Sequence, residues 1–154
     1  MLRRATVTRQ SEHRERLRRE VGMWCDAPFL RDALPGTRDA LERLYSLART
    51  HDIPLVVALL PPEWVVHPEQ GEAAAASLSL GGFEPTQVPM AVQGVIPDGV
   101  TVVDLTPAMR EAAATRSLFL RFDGHWTDEG HAVVADALVT PVQELLSRAA
   151  ASHE

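Results

Sequence analysis

The run from Ile53 to Leu60, IPLVVALL, constrains the fold more than any other stretch of the chain. It is branched and apolar with no polar alternation, and His51-Asp52 and Pro61-Pro62 bound it. That pattern predicts a strand buried on both faces in a parallel sheet, because an antiparallel strand with one wet face would alternate. Val100 to Leu105 predicts a second, shorter strand. A strand–crossover–strand unit of this kind is normally right-handed and parallel, so both strands point their C-terminal ends to one edge. Pro61 and Asp104 lie at that edge, where open α/β sheets gather their sites. The fold class expected is therefore α/β.

Helical periodicity fills much of the rest. Ser11 to about Trp24 carries Leu17, Val21 and Trp24 on one stripe among Arg and Glu, as an amphipathic surface helix requires. Leu34-Pro35-Gly36 predicts a turn, after which Thr37 caps a helix carrying Leu41, Leu44, Tyr45 and Ala48 at the i, i+3, i+4, i+7 spacing. Between the strands, Glu63 to Gly99 reads as a long, partly irregular crossover with a helix-prone patch at Glu72–Leu80. Thr106-Pro107 supplies a cap and a first-turn proline for a helix to about Thr115. Near the end, Thr140-Pro141 predicts either a kink or a fresh helix from Pro141 to about Ala150.

The densest chemistry lies in Leu118–Leu138. There Asp123, Gly124, His125 and Trp126 lead into Thr127, a good N-cap for a helix with Val133, Val134, Ala137 and Leu138 on its apolar side. His125 is thus expected on a loop beside a helix start. Asp123, two residues earlier, can accept an imidazole N–H, which fixes the tautomer and stabilises the imidazolium. Trp126 is expected to pack beside the site and is a candidate substrate-binding residue.

The segment D-G-H-W-T-x-x-G-H followed by an Ala/Val-rich helix resembles the last block of SGNH (GDSL-type) hydrolases. It is most similar to the branch containing alginate-type O-acetyltransferases, which uses an Asp-x-His-Trp pairing. The resemblance extends back to about residue 37 and implies a partial three-layer, SGNH/flavodoxin-like sandwich, truncated at its N-terminus. It implies further that His125 is the general base and Asp123 its orienting acid in ester hydrolysis or O-acetyl transfer on a carbohydrate or other hydroxyl substrate, with no cofactor. The family's serine lies in a Gly-Asp-Ser block, and no such tripeptide occurs in these 154 residues. The chain thus resembles the C-terminal half of such an enzyme. Ser11, Ser46, Ser77, Ser79, Ser117, Ser147, Ser152 and Cys25 lack the strand–Gly-rich turn–helix setting that exposes an activated nucleophile.

Two other readings stand beside this one. A non-catalytic binding or scaffold subunit would keep the surface and lack the reaction. A metallohydrolase could use Asp123, His125 and His131 as ligands, although the i, i+4 histidine pair that presents two nitrogens on one helix face is absent. Asp104 is expected to bond backbone N–H groups at a strand end, His131 to pack or cap locally, and His13, His51, His67 and His153 to be surface residues.

Composition bounds the alternatives. With 45% hydrophobic and 23% charged residues, 154 residues suit a single globular domain, 1–154, with residues 1–35 as a helical arm. Net charge is −6, yet residues 1–20 hold seven Arg and three Glu, so that segment carries +4 and the remainder −10. Because those Arg are interspersed with Glu and with no aromatic residue, they read as a solvated helix face, and no nucleic-acid partner is expected. All fifteen basic residues are Arg. Cys25 is the single cysteine, which excludes an internal disulfide and a cysteine-based zinc site. No apolar run has the length of a membrane span, and Met1–Gln10 lacks the core of a signal peptide, so the chain as given is expected in the cytoplasm. Two strands are fewer than the roughly three a sheet needs to stand alone, so a homo-oligomer or a complementing subunit is expected.

Overall fold

The computed structural model describes residues 2–25, 27–121 and 124–151. Helices α1 (Leu2–Gly22) and α2 (Ala27–Thr50) precede strand β1 (Val56–Leu59). Helices α3 (Glu63–Val66), α4 (Pro68–Ser77) and α5 (Gln87–Gln93) then lead to strand β2 (Thr101–Asp104), and α6 (Thr106–Ala113) and α7 (Asp128–Ala151) follow. Among the described residues the sheet has two strands, paired in parallel with Val56 opposite Thr101 and Leu59 opposite Asp104. The class is α/β with a parallel sheet, as expected.

β1 begins three residues later than its apolar run. Pro54 has no N–H to give a ladder, so regular pairing starts beyond it. The expectation of burial on both faces fails: β1 is half-buried throughout, while β2 alternates, with Val102 and Asp104 exposed. The register explains this. Ala58 and Val103 are partners and both pack on the main core, while Val102, on the other face of the sheet, is 36% exposed. Only one face of β2 is covered.

The main core joins Leu105, Met109, Leu118, Phe119, Val133 and Val134 to Val66, so it ties α6 and α7 to the sheet and to α3. A smaller cluster of Val21, Ala75 and Leu78 seats α1 on α4. There Arg18 donates to the Leu78 carbonyl at 2.8 Å, so one of the arginines read as solvated anchors the helix.

Two further expectations are corrected, and of the two outcomes expected at Pro141 one is excluded. No turn forms at Leu34-Pro35-Gly36 and Thr37 caps nothing, because α2 runs through all of them and the Thr37 hydroxyl bonds back to the Ala33 carbonyl at 3.3 Å. Arg31 and Pro35 are exposed, so water can satisfy the Arg31 carbonyl that Pro35 leaves without a donor. Thr106 is the first residue of α6 and its hydroxyl makes no cap; the Asp104 carboxylate accepts the Thr106 N–H at 2.9 Å instead. No new helix starts at Pro141, because α7 continues through it to Ala151. The Glu63–Gly99 crossover is more helical than expected, with three helices in it. Among the described residues no helix is long and apolar enough to cross a membrane.

Candidate active site

The C-terminal edge of the sheet leads, through the helix after β2, into the segment that carries the candidate residues. The ladder extends past β2 through the Leu105 N–H to the Leu59 carbonyl at 3.0 Å, and Leu105 and Met109 are buried behind it. The Asp104 carboxylate is used to start α6, as the sequence predicts for a strand-end acid.

From α6 the chain enters the Ser117–Thr127 loop, which is held as a short antiparallel pair. Phe119 faces Trp126, the Thr127 N–H donates to the Leu118 carbonyl at 3.0 Å, and the Leu120 N–H donates to the His125 carbonyl at 2.7 Å. Side chains alternate across such a pair. Phe119 is buried and Trp126 half-buried on the inner face, and Leu120 and His125 are exposed on the outer one. Gly124 holds φ at +69°, the left-handed region that glycine enters without penalty, and so the chain turns immediately before His125.

Thr127 locks the end of the loop to the last helix. Its hydroxyl donates to the Ser117 carbonyl at 2.7 Å and accepts the Gly130 N–H at 3.1 Å, an N-cap of the expected kind. Gly130 is needed for a second reason: a Cβ there would collide with the Leu118 carbonyl oxygen and crowd the Trp126 Cβ. The two glycines of the D-G-H-W-T-x-x-G-H segment therefore each meet a backbone requirement.

His131 stands edge-on to the Trp126 ring at 5.3 Å, so it packs locally. Asp123 lies outside the described residues. Among the described residues no three His, Cys, Asp or Glu side chains gather as a metal site would require.

Sequence reasoning missed His67. Read as a surface residue, it is half-buried, its Nδ1 lies 3.7 Å from Glu69 Oε1, and its ring meets Phe119 edge-on at 6.5 Å. The pair H-x-E at the N-terminus of α4 was the available signal. α3, just before it, is fixed from below by buried Val65 and Val66 and from the side by Arg110, whose Nε and Nη2 both donate to the Val65 carbonyl at 3.1 and 2.9 Å.

The family model described as "SGNH hydrolase-like domain, acetyltransferase AlgX" matches residues 28–154. The chain belongs to that family. The match takes in nearly all of α2, the sheet, the loop carrying His125 and all of α7. Among known relatives, the protein named "Probable alginate O-acetylase AlgJ" from Azotobacter vinelandii is 32% identical over 114 residues, covering 73% of this chain. The chain spans 26% of that relative's length. No solved structure matches the chain. Membership of the SGNH hydrolase-like family is thus shown over most of the chain and agrees with the parallel α/β sheet.

Proposed function

We propose that this SGNH hydrolase-like domain takes part in acyl transfer to or from a carbohydrate hydroxyl, O-acetyl transfer being the reaction, with His125 as general base and Asp123 as the acid that orients it. The observation that carries this reading is the presentation of His125: an exposed imidazole on a loop whose backbone is fixed by the Leu120 and Thr127 hydrogen bonds, inside the family-matched region. Fixing the backbone holds a base where a reacting proton must be taken, which is the geometric requirement of general-base catalysis. The relative named as an alginate O-acetylase supports acetyl transfer and a uronate polymer as acceptor.

The serine is supplied by polypeptide beyond these 154 residues. His125 takes the serine hydroxyl proton as the oxygen attacks the acetyl carbonyl, and gives it to the departing donor oxygen. The acceptor hydroxyl, deprotonated by His125 in turn, then attacks the acetyl-serine, and the serine oxygen recovers the proton. Asp123 holds the imidazole tautomer through both halves and stabilises the imidazolium.

In the polypeptide that carries both this domain and the serine, His125→Ala and Asp123→Asn are each expected to lower kcat for acetyl transfer by roughly 10³-fold or more. Turnover within a few-fold of wild type in His125→Ala would overturn the assignment.

A further inference from the structure

We propose that Trp64 and His67, on the ledge that follows β1, are substrate-recognition residues that hydrogen-bond the carbohydrate acceptor; this rests on the reading of the site given above and names two residues outside the His125 loop. Three observations converge on the ledge. The Trp64 indole N–H is buried and without a hydrogen-bond partner. A donor left so loses its hydration with nothing in return, and native structures hold few of them, usually with a reason. Its backbone cannot drift to relieve the donor, because the neighbouring Val65 is fully buried and its carbonyl is held twice by Arg110. Three residues on, His67 is half-buried with Nδ1 turned to Glu69, which leaves Nε2 for another partner.

Position joins these to the reaction. Trp64 and His67 follow the C-terminal end of β1, the edge where sites of open α/β sheets form. The His67 ring packs on Phe119, and Phe119 pairs with Trp126, the residue after His125. The ledge thus packs, through His67, against the inner face of the loop whose outer face exposes His125. An indole N–H that only donates and an imidazole nitrogen that donates or accepts suit a ligand rich in hydroxyl and carboxylate oxygens, that is, a uronate sugar. A substrate oxygen admitted by a side-chain movement at the ledge would give the buried Trp64 N–H its missing acceptor.

The test is an indole ¹H–¹⁵N spectrum of the 154-residue chain titrated with short alginate oligosaccharides. The chain has three tryptophans, Trp24, Trp64 and Trp126, and Trp64→Phe assigns the decisive peak by removing it. The expected result is a saturable shift of the Trp64 peak, and a Kd raised about tenfold in Trp64→Phe and in His67→Gln, the loss of roughly one hydrogen bond each. Melting curves of both variants should stay close to wild type. A Trp64 peak that does not move, or variants that bind as tightly as wild type, would overturn the proposal, as would weaker binding matched by global unfolding. His125→Ala is expected to retain the shift, so a failure of the acyl-transfer reading in the turnover assay is distinguishable from a failure of the ledge.

Discussion

The Thr127 hydroxyl bridges two segments, accepting the Gly130 N–H at 3.1 Å while donating to the Ser117 carbonyl at 2.7 Å. One side chain therefore starts α7 and closes the loop that carries His125. Thr127→Ala should destabilise the domain by about 1–2 kcal/mol, the usual cost of a lost N-cap. Thr127→Ser, which keeps the oxygen, should cost well under half of that. Urea unfolding of the two variants separates them, and equal losses would mean that the Thr127 methyl rather than its hydroxyl matters.

Gly130→Ala sets helix propensity against packing. An exposed helix gains up to about 1 kcal/mol from such a change. Here the new methyl meets the Leu118 carbonyl, a backbone atom that cannot swing aside, so a net loss of about 1–3 kcal/mol is expected. The same measurement checks it, and a stabilised variant would show that the loop can shift away from α7.

The chain is expected to associate. Its accessible surface is 10554 Å², against about 7,700 Å² for a compact monomer of its 16.9 kDa mass. Part of the excess is apolar and borders the sheet: Ile53 is 59% exposed, Leu60 48% and Val102 36%. Each described strand has one neighbour, which leaves two edges able to template further pairing. Sedimentation at micromolar concentration should show dimers or larger species. A compact monomer with cooperative unfolding would contradict this, and Val102→Lys should shift any equilibrium towards monomer by placing a charge on the open face.

Much of the site's framework could be read from the sequence because it depends on local chemistry. The Asp104 strand end, the Thr127 cap and the exposed His125 loop each follow from residues within a few positions of one another. The helix through Pro35 was illegible because proline marks a turn in most contexts, while here an exposed α2 surface lets water replace the lost backbone donor. Burial of β1 was overestimated because an apolar run states what a strand would bury and not how many neighbours it finds. His67 escaped because its ring partner, Phe119, is brought to it only by the packing of the His125 loop on α3 and α6. Trp64 carries no sequence signal at all, since an indole without an acceptor is a property of the assembled core.

The central claim is that this domain contributes the base of an acyl-transfer site and not its nucleophile. Peptide mapping of the polypeptide that carries the domain, quenched during turnover with an acetyl donor, locates the acetyl group directly. The expected result is acetylation of one serine outside residues 1–154, suppressed in His125→Ala. An acetyl group on Cys25 or on any of the serines Ser11, Ser46, Ser77, Ser79, Ser117, Ser147 or Ser152 would contradict it.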